Sequence, residues 1–144
     1  MAQWRLNTRN AALQQVQTAL TGYTVRYPNQ SGFNPPNNAL WLDVNTIFAN
    51  DQFRLALTVR DRVDFLIQID VMMPIGSSDI EAYNIADTLD TGFPIDGTPF
   101  SYNGQKVYVK YISPPRPLPI TSDADNSWDR YTIRIALYSF VERG

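Results

Sequence analysis

Residues 62–74 read RVDFLIQIDVMMP, and this stretch decides the fold. Val63, Phe65, Ile67, Ile69, Val71 and Met73 occupy every second position. In an extended chain that spacing sets all six on one face. Asp64, Gln68 and Asp70 fall on the other, toward water or a partner. The segment is thus a half-buried strand. Immediately afterwards the period changes. In PIGSSDIEAYNIADTLDTGFP (residues 74–94), Ala82, Ile85, Ala86, Leu89 and Phe93 recur at helical spacing and form one stripe for a sheet. Ser78 and Glu81 make an S-x-x-E capping box before it, and Gly92 and Pro94 mark its end.

The same signals extend in both directions. In PFSYNGQKVYVKYI, the Asn103-Gly104 pair is the strongest short hairpin signal. The strand after it alternates Val107, Val109 and Tyr111 against Tyr108, Lys110 and Ile112. DRYTIRIALYSFV closes the chain with Tyr131, Ile133, Ile135, Leu137 and Val141 on one side. Toward the N-terminus, ALWLDV and FRLALTV each alternate and read as two strands, with a tight turn around Arg60–Arg62. A helix is expected from about Asn10 to Thr21, carrying Ala12, Leu13, Val16, Ala19 and Leu20 inward and stopping at Gly22. YPNQSGFNPPNNA is a loop between that helix and the sheet. No internal repeat or domain boundary is visible, so residues 1–144 are read as one domain. The expected class is α+β: a mostly antiparallel β-sheet, two helices packed on one face, and a long strand-to-strand loop. Such a sheet leaves its second face bare. Here that face carries charge beside Trp41, Leu66, Met72, Tyr138 and Phe140, a candidate subunit interface.

Composition narrows the chemistry. Apolar residues are 44% and charged residues 18%, a globular balance. The net charge is −2 and no lysine–arginine cluster occurs in sequence, which argues against tight phosphate-backbone binding. There is no cysteine, which excludes disulfides and thiolate metal sites. There is no histidine, which removes the commonest general base and metal ligand. The opening MAQWRLNTRN lacks the apolar core of a signal peptide, and no run approaches the roughly 18 apolar residues of a membrane span. A soluble protein made in a cytoplasm, without a membrane partner, is the expectation.

Catalysis finds no constellation. Asp64 and Asp70 share a strand face but stand about 20 Å apart at strand rise. No G-x-S-x-G or P-loop pattern is present. Neither a metal nor an organic cofactor is expected. In SDADNSWD (residues 122–129), Asp123, Asp125, Ser127 and Asp129 imitate the first half of a calcium loop. Trp128 and Arg134 stand where that loop needs a glycine and a bidentate glutamate, so a solvated acidic loop is the better reading. PPRPLP (Pro114 to Pro119, with Pro115, Arg116 and Pro117 between) reads as a stiff extended arm in preference to a groove-binding ligand. Arg60 and Arg62 flank Asp61 at the expected turn, either as contacts to a partner's carboxylates or as a solvated hairpin tip. Trp128 is an interface anchor or a cap on one end of the core.

Three segments together resemble the tail terminator-like proteins of long-tailed bacteriophages. They are the strand FLIQIDVMMPIGSS, the helix EAYNIADTLDTGFP, and the span VYVKYISPPRPLPITSDADNSWDRYTIRIALYSF. The N-terminal helix and NPPNNALWLDV fit more loosely, and the likeness is best from about Phe65 to Phe140. The segment from Asn50 to Arg62 departs from the family's glycine and polar pattern by being more apolar. The resemblance implies a structural virion protein of the tail or neck, assembled in the host cytoplasm. It implies a ring, commonly a hexamer, that caps the tail tube, ends its polymerisation and meets the head–tail connector proteins. DNA would pass through the lumen without specific binding. On this reading the arm from Pro114 to Asp125 reaches a neighbouring subunit or the tail tube protein. The alternatives are another head–tail connector, a tube subunit, or an adaptor that binds through its proline-rich arm.

Overall fold

The computed structural model describes residues 3–28, 32–34, 36, 39–54, 60–74, 76, 79–118 and 128–142. The elements run α1 (Trp4–Ala19), β1 (Val25–Arg26), β2 (Trp41–Arg54), β3 (Arg60–Pro74), α2 (Ile80–Gly92), β4 (Phe100–Tyr102), β5 (Gln105–Ile112), β6 (Arg116–Leu118) and β7 (Trp128–Glu142). The strands form one sheet in the order β1-β2-β3-β7-β5-β4, with β6 also paired to β7. All pairs are antiparallel except β1–β2, so the sheet is mixed. The α+β class and the two helices on one face hold.

The alternation in β3 is obeyed along its length. Val63, Phe65, Ile67, Ile69, Val71 and Met73 are buried on the helix side, facing Ile133, Ile135 and Leu137 of β7 and the α2 stripe Ala82, Ile85 and Leu89. Ala11, Ala12, Val16 and Leu20 of α1 complete the same cluster. Ser139 is the polar exception on the core side of β7, and its Oγ is satisfied by donating to the Lys106 carbonyl and accepting from Gln105 Nε2. The Asn103-Gly104 turn is as read: both residues have positive φ, as a two-residue primed hairpin requires.

Several expectations are corrected. α1 begins at Trp4, well before Asn10. Its first turns carry no apolar stripe, and the hydroxyl of the buried Thr8 is satisfied by donating to the carbonyls of Trp4 and Arg5. ALWLDV and the start of FRLALTV are one continuous strand, β2, with a register shift between Phe48 and Gln52. The two strands were read apart because that irregularity breaks the alternation. Leu55, Leu57 and Val59 lie outside the described residues. Arg60–Arg62 is not a turn: these residues open β3, opposite Glu142, Val141 and Phe140 of β7. The N-cap of α2 is Asp79, which places Glu81 one position too early for a capping box; its Oε1 instead accepts from Asn84. Ser78 lies outside the described residues. In β5 the register slips by one residue between Val109 and Tyr111. This bulge reverses the parity, so Ile112 joins the core while Tyr111 turns out to the helix-free face. Finally, Arg116–Leu118 are not a free arm. They pair with Thr132, Tyr131 and Arg130, so the prolines continue the β5 edge of β7.

Lengths set what the helices can cover. β3 and β7 have 15 residues each, about 50 Å at strand rise. α1 and α2 have 16 and 13 residues, about 24 and 20 Å. The two helices meet at Gly92, where a Cβ would lie 2.5 Å from the Cβ of Ala19. Gln15 Nε2 donates to the Gly92 carbonyl at 2.6 Å across the same contact. Gly92→Ala should therefore destabilise the fold by about 1–3 kcal/mol in urea unfolding, despite alanine's better helix propensity. Adding Ala19→Gly should recover part of that loss.

Candidate functional site

The face of the sheet opposite the helices is built from the even-numbered residues of β3 and β7. At one end, Tyr108 and Tyr138 stack with ring centroids 5.3 Å apart, and Phe140 meets both edge-on at 6.0 and 5.8 Å. Arg62 lies over the Tyr138 ring at 5.7 Å and pairs with Asp64 at 3.0 Å. Lys110 reaches the same carboxylate at 3.9 Å. Beyond them Ile47, Leu66, Tyr111 and Ala136 line a shallow apolar groove of about 210 Å³. Ile47 and Tyr111 are 48% and 51% exposed, high for large apolar side chains.

Further along, the face becomes polar. Asp70 is buried and accepts from Thr132 Oγ1 at 2.7 Å and from Gln68 Nε2 at 3.3 Å. Arg134 Nε donates to Gln68 Oε1 at 3.3 Å. Tyr111, Ser113, Arg116, Thr132 and Arg134 line a second cleft of about 330 Å³ beside this network. At the far end Trp41 is buried under Phe33, 5.2 Å between centroids, and meets Trp128 edge-on at 6.3 Å. Arg26 lies over Trp41 at 5.4 Å and grips Asp43 with two nitrogens. Those hydrogen bonds push the Arg26 guanidinium above its usual range, with burial acting against them. The Nε1 of Trp41 and Nε of Arg130 are closed off from solvent without an acceptor.

The residues singled out in the sequence do not converge on one site. Arg62 and Trp128 sit near opposite ends of the face, at the Phe140 and Pro74 pairings. Arg60 begins β3 opposite Glu142. Arg116 and Pro117 pair with β7, while Pro114 and Pro115 lie between β5 and β6; Pro115 is buried and the other three are exposed. Asp123 and Asp125 lie outside the described residues. Tyr108, Tyr111, Arg130 and Arg134, each placed by strand register, were missed as site residues. Only the pairing of β5, β6 and β7 sets Tyr108 beside Tyr138, and Tyr111 in one cleft with Arg116 and Arg134. No cluster of three or more acidic side chains able to hold a metal ion occurs among the described residues. Likewise, no described helix is long and apolar enough to cross a membrane.

What the face offers is contact surface: aromatic at one end, apolar in the middle, arginine-rich beyond. A family described as phage tail terminator protein matches residues 6–136. The chain belongs to that family and has a structural role in a phage tail. No curated protein matches the sequence. Among solved structures, one chain without a functional name aligns with a TM-score of 0.58 at 20% identity. The alignment covers 94% of this chain and 92% of that one, and at this identity it bears on the fold alone.

Thr132→Val removes the hydroxyl from the buried Asp70 carboxylate. It should cost about 1–3 kcal/mol in urea unfolding, because the acceptor is left without its closest donor. Val is otherwise well suited to a strand, so an unchanged midpoint would show that Asp70 is satisfied by water instead.

Proposed function

We propose that this protein closes into a ring on the end of a finished tail tube, ends tube polymerisation there and presents a surface to the head–tail connector. A hexamer is the number the family resemblance implies. The observation that carries this reading is the helix-free sheet face, with its aromatic cluster and the exposed Ile47 and Tyr111. An exposed apolar face rimmed by charge marks a contact surface. The slightly acidic net charge suits a lumen through which DNA slides without being held. In this proposal the protein acts as part of the virion, assembled in the host cytoplasm, through contacts and not through bond chemistry.

The arm proposed from the sequence is now shorter. Arg116 to Leu118 belong to the sheet edge, so the reach toward a neighbouring subunit or the tube is assigned to residues 119–127, with Asp123 and Asp125. Replacing residues 119–127 by a two-residue turn should leave the melting temperature within a few degrees but abolish capping.

Light scattering of the purified protein, over a range of concentrations and with tail tubes added, tests the ring itself. A closed ring, alone or only on tubes, is the expected result. Unlimited filaments would point to a tube subunit, and a monomer that ignores tubes would overturn the proposal.

A further inference from the structure

Charge is unevenly placed on this molecule. On the helix-free face, Arg26 and Arg62 are paired with Asp43 and Asp64. Arg116, Arg130 and Arg134 have no ion-pair partner among the described residues, and Arg134 is met only by the neutral amide of Gln68. Register places Arg116 opposite Thr132, between the other two. Diagonal neighbours on paired strands lie about 7–8 Å apart. Arg116 and Arg134 therefore share one cleft with the exposed Tyr111, and Arg130 follows on the same face of β7. Asp70 borders it, but its Oδ1 already accepts from Thr132 and Gln68.

The opposite charge stands on the other side of the molecule. From Asp79 to Asp96 the sequence has five acids and no base. Asp79 and Glu81 stand at the start of α2, where the helix dipole favours them. Asp87 and Asp90 have no such reason. Both are exposed, neither has an ion-pair partner among the described residues, and Asp90 lies in the last turn, where the dipole disfavours a carboxylate. With Tyr83, which is 49% exposed, they fall at i, i+4 and i+7 on the side away from the core residues Ala82, Ile85, Ala86 and Leu89. An exposed aromatic followed by two acids thus mirrors an exposed aromatic beside the arginines. The scales agree: Asp87 and Asp90, three apart on a helix face, are about 5–6 Å apart, and Arg116 and Arg134, diagonal neighbours on paired strands, about 7–8 Å.

We infer that Tyr83, Asp87 and Asp90 of one copy dock on the Tyr111, Arg116 and Arg134 cleft of the next. α2 packs on the far side of the sheet from the cleft, so one copy cannot make this contact with itself. The two patches differ, so the contact is heterologous and repeats from copy to copy, closing when the rotation allows. The inference deepens the ring reading and rests on it for closure.

Two charge-reversed variants test it, Arg116→Glu/Arg134→Glu and Asp87→Lys/Asp90→Lys, with circular dichroism as the check on folding. Association is read by light scattering, with tail tubes present where the wild type needs them. Each variant alone should associate at least about tenfold more weakly than wild type. An equimolar mixture should recover, because the reversed cleft of one then meets the reversed helix of the other, and the two native patches meet as well. Misfolded variants would not be rescued by mixing. If both variants assemble as the wild type does, or neither is rescued, this contact is wrong while the ring stands. If the wild type stays monomeric with and without tubes, both fall. Loss of DNA binding by the arginine variant, with association intact, would reassign the cleft to phosphates and overturn the inference.

Discussion

The rest of the structure depends on the ladder between β3 and β7. It pairs fifteen residues on each strand, from Arg60 opposite Glu142 to Pro74 opposite Trp128. β2 adds to one side of it, β5 and β6 to the other, and both helices lie on its apolar face. Its register is fixed by burial: a slip of one residue would send Ile67, Ile69, Ile133 and Ile135 to water and bring Gln68 and Arg134 into the core. The same ladder brings Asp70 against Thr132 and Gln68 against Arg134 on the outer face. One set of backbone pairings thus writes two surfaces, one covered by the helices and one free of them.

Much of this was legible because the signals were local. Strict alternation in residues 63–73, the helical spacing of residues 82–93 and the Asn103-Gly104 turn each follow from neighbours in sequence. The misreadings share a cause: each depended on something outside its own segment. β1 is two residues long and exists only by pairing with Leu42 and Asp43. The bulge near Lys110 answers to β7, and it alone decides that Tyr111 faces out. The Pro114–Leu118 stretch looked like an arm because prolines resist regular structure, yet an edge strand tolerates them. The contact face was legible only in outline. Tyr138 and Phe140 could be placed on it by parity, whereas Arg116 and Arg134 come together through strands whose pairing no local pattern announces.

Function in this protein is a property of surfaces. Membership of the phage tail terminator family gives it a structural role in the tail. The geometry is consistent with that role: among the described residues some polar groups hold one another, as Arg26 holds Asp43 and Asp70 holds Thr132, and others, such as Arg116, Arg134, Asp87 and Asp90, stand exposed without an ion-pair partner. Self-satisfied pairs stiffen the scaffold, while unmatched ones wait for a complement.

The proline edge has a further consequence. A strand at the border of a sheet is an open template, and any extended chain with free amides can add to it. Pro117 in β6, and Pro114 and Pro115 just before it, have no N–H to offer, so this stretch presents a broken row of donors. An edge of that kind is a poor template for a further strand. With few backbone donors on offer, a contact along this stretch would rest on side chains, which are more selective than a ladder of amides.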